Sequence, residues 1–194
     1  MNTKSKILTA LASLMLLLTF FFPIWQIDLN APQYPEGLGL RIWLNEIGGL
    51  KPNDLQSING LNHYIGMQVI EPESIPELKI MPFVIVFMIL FGLFNAYAGK
   101  PLLLKIWIVL FIVVAVAGLI DFYIWGYNYG HNLNPDAPIK VPGMSYQPPL
   151  IGSKQLLNIN AVSLPAIGTY VILISMTITA FAAFSKSFRF KEKV

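Results

Sequence analysis

Four apolar runs, broken by two polar stretches and one short turn, set out the plan of this chain. They extend from Ile7 to Phe22, from Ile80 to Ala98, from Leu102 to Trp125 and from Val162 to Phe184. A bilayer core of about 30 Å takes about 20 helical residues, so each run predicts a membrane-spanning helix. The first follows Lys4 and Lys6, and Phe20-Phe21-Phe22-Pro23-Ile24-Trp25 stands where a small-residue cleavage site would belong. That predicts an uncleaved signal anchor over residues 1–25, stopped by Pro23, with Trp25 as an interfacial aromatic. The other spans are placed at 80–98, 102–125 and 162–184. Pro82, Pro101 and Pro165 fit first helical turns and Ser163 fits an N-cap. Gly99-Lys100-Pro101, a turn at 99–101, makes spans two and three an antiparallel hairpin.

The polar stretches are 26–79 and 126–161. In the first, Trp25, Ile27 and Leu29 alternate with polar residues, and Leu38, Leu40, Ile42 and Leu44 do the same. A two-residue period is that of half-buried strands. The Ala31–Gly37 link predicts a loose hairpin between them. Asn53 is placed to cap a short helix that carries the stretch around His63. The second stretch is rich in Tyr, Asn and Pro and reads as irregular. The expected fold class is an α-helical integral membrane protein: four transmembrane helices with a small mixed extracytoplasmic domain containing short β-strands.

Composition agrees with this plan. Only 12% of residues are charged, about half the share of a soluble domain. There is no cysteine, which excludes disulfides, thiolate metal sites and cysteine nucleophiles. Charge sets the orientation. With both termini and the 99–105 link on one side, Lys4, Lys6, Lys100, Lys105, Lys186, Arg189, Lys191 and Lys193 face only Glu192 there. The positive-inside rule then puts both termini, including the basic tail 185–194, in the cytoplasm and both polar stretches outside. Lipid contact is expected along the spans and nucleic acid is not, because the outer face is acidic. No span carries a central ionisable residue, which argues against an ion pump or pore. Gly92 with Ala96, Ala115 with Gly118 and Leu119, and Gly168 with Ser175 and Ala182 are spaced for close helix contact.

The chemistry-bearing candidates lie in the polar stretches. His63 and Met67 are four apart, so a continuous helix would put them on one face, with Glu71 a turn further on. Imidazole with thioether suits copper(I) where thiolate is absent, and His131 and Met144 are the residues available to complete the set. The alternative is that both histidines only form structural hydrogen bonds and Met67 is core. Asp121 stands near the end of span three, with Lys154, Arg41 or His131 as candidate partners. Paired with His131 it would be an acid–base pair for an interfacial lipid or quinone enzyme. No nucleophile elbow, phosphate loop or paired-His zinc motif occurs. A third reading makes the outer domain a docking surface built on Trp43, Tyr64, Tyr127, Tyr129 and Tyr146–Leu150, since aromatics anchor interfaces. The Tyr146–Gly152 run is extended, either packed across the domain or read by a partner's groove.

Four strings, Ala31-Pro32-Gln33-Tyr34-Pro35-Glu36-Gly37-Leu38, Asn59-Gly60-Leu61-Asn62-His63-Tyr64-Ile65-Gly66-Met67, Tyr129-Gly130-His131 and Gln147-Pro148-Pro149-Leu150-Ile151-Gly152, resemble the motifs of a family of small polytopic membrane proteins. That family is associated with nitrous oxide reductase gene clusters, which carry a copper chaperone and a periplasmic copper enzyme. The resemblance spans both polar stretches and the four-span layout. It implies a multi-pass protein of the bacterial inner membrane, accessory to maturation of, or electron delivery to, a periplasmic copper reductase. Copper would then be the cofactor contacted and a periplasmic or membrane protein the partner. His63, Met67 and His131 are the motif positions it singles out, and it carries no catalytic role.

Overall fold

The structure, a computed structural model, describes residues 1–184; the basic tail expected at 185–194 lies outside them. Four helical segments are long and apolar enough to cross a membrane: Thr3–Phe20, Pro76–Ala98, Pro101–His131 and Ile167–Phe184. The first is helix α1 (Thr3–Met15) continued by a 3-10 turn, Leu16–Phe20. The others are α3 (Pro76–Ala98), α4 (Pro101–His131) and α5 (Ile167–Phe184). A shorter helix, α2 (Asp54–Ile65), lies outside the bundle.

At one end of the bundle sits a five-stranded antiparallel sheet of order β3-β2-β1-β5-β4. Its strands are β1 (Trp25–Ala31), β2 (Tyr34–Ile42), β3 (Ile47–Gly49), β4 (Gly152–Leu156) and β5 (Ile159–Pro165). The central strand β1 and its neighbour β5 are nearly direct extensions of α1 and α5. Backbone hydrogen bonds close the junction: Ala166 N donates to Ile24 O at 3.1 Å, Gly168 N to Pro23 O at 2.8 Å and Ile24 N to Ile42 O at 2.7 Å. The Thr169 hydroxyl also donates to Ile24 O. A cap joined to its helices through main chain cannot swing on a flexible linker. The alternation Trp25, Ile27 and Leu38, Leu40, Ile42 turns these side chains inward, where they pack with Ile58 of α2 and Tyr129 of α4.

Several elements differ from the sequence reading. The β1–β2 hairpin is tight, with Ala31 opposite Tyr34 and a register shift just before it; Pro32 and Gln33 form the whole turn. Val162, Ser163 and Leu164 belong to β5, not to a helix, because they pair with Asp28, Ile27 and Gln26. Ser163 caps nothing: it accepts from Trp25 Nε1 at 2.8 Å and donates to Leu150 O at 3.0 Å. Trp25 is therefore buried, 7% exposed, and is not an interfacial anchor. Pro76, not Pro82, takes the first turn of α3, which leaves Pro82 inside the helix. Asn53 precedes α2 without a side-chain capping bond. The buried carboxylate of Asp54 instead accepts from Gly39 N at 2.9 Å and Lys51 N at 3.2 Å, tying the start of α2 to β2.

Inside the bundle Leu16, Ile85, Met88, Ile89, Trp107 and Phe111 form the apolar core, and Trp107 Nε1 donates to Met88 O at 2.8 Å. Helix α1 runs between α3 and α5. Gly92 is in close contact with Ser13, and Ser175 donates to Ala12 O at 2.7 Å. Small residues thus mediate the α1–α3 and α1–α5 contacts, as lipid-embedded packing requires. Ala115, Gly118 and Leu119 on α4 do not: they are exposed, and a Cβ on Gly118 would meet nothing within 4 Å. At the end away from the cap the N-terminal ammonium donates to Gly99 O at 2.7 Å and Lys6 Nζ to Tyr97 O at 3.3 Å. The chain start and the α3–α4 turn therefore share one end, opposite the sheet.

Candidate functional site

Helix α4 links bundle to cap. Its 31 residues extend about 46 Å at 1.5 Å each, well beyond a hydrocarbon core of about 30 Å. The excess carries Trp125, Tyr129 and His131 up among the cap elements. Trp125 and Tyr129 stack at 4.1 Å, and the Tyr129 hydroxyl donates to Val69 O at 3.2 Å.

The two polar stretches meet in this region. Helix α2 ends where Gly66 takes a left-handed conformation, φ 81°, which glycine adopts without steric cost. The turn brings Asn134 N within 2.8 Å of Gly66 O and Ile139 N within 2.9 Å of Tyr64 O. A side chain at Gly66 would collide with Ala137 Cβ at 2.9 Å. Asn59 secures the returning segment on both sides: Oδ1 accepts from Ile70 N at 2.8 Å and Nδ2 donates to Ile70 O at 3.1 Å.

His63 and Met67 line one cavity, but not as one face of a continuous helix. Helix α2 stops before Met67, so no common helical face exists. The Gly66 turn folds Met67 back instead, and both residues line an open cavity of about 400 Å³ together with Asn132, Leu133 and Asn134. His63 is exposed, with its ring edge-on to Tyr64 at 6.0 Å. Met67 also packs against the cap core. His131 and Met144 are not in that lining. His131 is the last residue of α4, not part of a loop; its ring stacks on Tyr127 at 3.9 Å and Nδ1 lies 3.0 Å from Tyr127 O. Met144 sits in a turn where its N–H donates to Val141 O at 3.1 Å. Among the described residues no group of three or more His, Cys, Asp or Glu side chains is placed to hold one metal ion. The lining of the first cavity contains one imidazole, His63, and one thioether, Met67.

The other candidates are also placed. Asp121 and His131 lie on the same helix ten residues apart, about 15 Å along the axis and on different faces, so they cannot form a hydrogen-bonded acid–base pair. Arg41 pairs with Asp28 at 2.7 Å, and Lys154 Nζ donates to Gln147 O at 3.1 Å. Of the docking aromatics, Tyr64 and Tyr127 are 55% and 45% exposed, whereas Tyr129 and Tyr146 are buried. The Tyr146–Ile151 run packs across the cap: Tyr146 N donates to Gly130 O at 2.9 Å, and the Gly130 Cα approaches the Gln147 backbone so closely that a Cβ has no room.

Tyr146 is marked in the sequence only as the start of an extended run, not as part of a cavity wall. It is 1% exposed, its hydroxyl has no hydrogen-bond partner, and it lines a second cavity, of about 260 Å³, between the sheet, α2 and α4. Gly130 was the available signal, since a glycine within a helical run often marks a close backbone approach.

Fold and site together define a class: a mostly α-helical protein with, among the described residues, four helical segments long and apolar enough to cross a membrane and a small antiparallel sheet packed on one end of the bundle. The chain matches no protein-family model and no curated protein.

Proposed function

We propose that the protein is a non-enzymatic membrane accessory factor whose sheet cap faces outside the cytoplasm and serves a periplasmic respiratory copper enzyme of the nitrous oxide reductase type. The carrying observation is that His63 and Met67 line one cavity where the two polar stretches join. Imidazole and thioether together favour copper(I), and two donors fit transient contact better than a closed storage site. His131 and Met144 are outside this reduced ligand set. The identity of the enzyme served rests on the motif resemblance. The outward orientation rests on charge, with Lys4, Lys6, Lys100 and Lys105 at the end opposite the cap.

Copper(I) titration against a chromophoric chelator tests the metal contact. The wild type takes up one equivalent. His63→Ala with Met67→Leu takes up none, while His131→Ala and Met144→Leu retain it. Equal uptake in the His63/Met67 double variant would contradict the assignment.

A second reading, a scaffold that docks a partner without metal, is favoured by the exposed Tyr64 and Tyr127 on the cap side. Rigid, half-exposed tyrosines are efficient interface anchors. A stoichiometric partner that co-purifies with the His63/Met67 variant but not with Tyr64→Ala would select it.

A further inference from the structure

We propose that the 260 Å³ cavity between the sheet, α2 and α4 is a binding site for a neutral, lipid-soluble molecule, which presents a carbonyl oxygen to the Tyr146 hydroxyl.

The first observation is Tyr146 itself. A buried hydroxyl without a partner costs roughly 1–3 kcal/mol, and such groups are nearly always satisfied. Tyr146 lines a cavity rather than close-packed core, so the unpartnered hydroxyl belongs to a residue on the wall of a space of molecular size. The second is the lining. No charged side chain contributes; the wall is mainly apolar, with Ile27, Leu40, Ile58, Trp125 and Ile159 in it, and its polar members, Asn62 and Tyr129 among them, are neutral. Such a wall selects an uncharged, mostly apolar body, and the unpartnered Tyr146 phenol offers a hydrogen bond to an acceptor on it.

The third observation is Leu157, also in the lining, with φ 54°. It occupies the two-residue β4–β5 turn between paired Leu156 and Ile159. That position normally goes to glycine, asparagine or aspartate, and a bulky residue there is strained. Strained residues cluster where a side chain is needed for function; here the strain keeps an isobutyl group on the cavity wall.

Size and placement narrow the class. The volume falls just below the roughly 300 Å³ at which small-molecule sites begin. It holds a substituted ring or a stretch of acyl chain, not a whole lipid. Trp125 and Gly126 bring the wall onto α4, and a Cβ at Gly126 would meet nothing within 4 Å. A quinone ring and the ester of a membrane lipid share the required carbonyl on an apolar body.

Full-length protein in nanodiscs is titrated with a decyl-substituted benzoquinone in one arm and dioctanoylglycerol in the other, read by intrinsic tryptophan fluorescence and by Tm. Saturable binding of either probe is expected, and the arm that saturates identifies the source. Tyr146→Phe raises the Kd about fivefold while Tm without probe stays level or rises, because the unsatisfied hydroxyl is gone. Leu157→Gly also weakens binding with no loss of Tm, since glycine relieves the strained backbone. Gly126→Leu, which adds bulk to an α4 residue of the wall, abolishes binding. No saturable binding in either arm, or a Kd unchanged by both Tyr146→Phe and Gly126→Leu, would overturn the proposal.

Discussion

Gly130→Ala lowers the stability of the protein by about 2–3 kcal/mol, although alanine is the better helix former. On helix propensity alone the change gains about 0.8–1.0 kcal/mol. The position reverses the sign. A Cβ at Gly130 overlaps the backbone N and Cα of Gln147, and backbone cannot rotate aside as a side-chain tip can. The 146–147 segment has to move, which breaks the Tyr146 N to Gly130 O bond and adds an overpacking cost of about 1–3 kcal/mol. Gly118→Ala on the same helix is the control: nothing lies within 4 Å of its Cβ, so it is neutral or gains up to about 1 kcal/mol. Equilibrium unfolding in mixed micelles measures both. A gain at both positions would mean that segment 146–147 does not press on α4.

Trp25→Ala is expected to cost about 3–5 kcal/mol, the range for removing a buried large aromatic. The ring packs against Phe122 of α4 at 5.3 Å, and its Nε1–H begins a chain of bonds through Ser163 to Leu150 O. The side chain therefore joins β1, β5, α4 and the segment leading into β4. Trp25→Phe keeps most of the packing and leaves the Ser163 hydroxyl short of a donor, so its loss should be about 1–2 kcal/mol. The same unfolding measurement applies. A side chain that only anchored the protein at the bilayer interface would give under about 1 kcal/mol for either change.

Much of the fold was legible because its signals are local. Sustained apolar runs give the spanning helices, and Trp25-Ile27-Leu29 and Leu38-Leu40-Ile42 give two strands. What escaped is decided by long-range pairing. Ala161, Val162 and Leu164 are as apolar as the helix that follows them, and only their hydrogen bonds to β1 make them a strand. The excess length of α4 was hidden because Gly126, Asn128 and Gly130 look like loop residues, while aromatic stacking and the packed 146–147 segment support them as helix. For the candidate site, the four-residue His63–Met67 spacing pointed to a shared helical face that does not exist: Gly66 is a helix terminator, and the turn it makes is what returns Met67 to the cavity that His63 lines. The grouping of His131 and Met144 with them rested on composition, which carries no information about direction. Tyr146 was left between packing across the domain and contacting a partner, because its burial depends on a glycine sixteen residues away.

The central claim is that both polar stretches form one cap outside the cytoplasm, opposite the α3–α4 turn. The absence of native cysteine makes this directly measurable. Single cysteines replace the exposed residues Tyr64, Asp136 and Lys100, and intact cells are treated with a membrane-impermeant maleimide. The account predicts labelling at positions 64 and 136, and labelling at position 100 only after permeabilisation. Labelling of position 100 in intact cells, or of only one of positions 64 and 136, would contradict it.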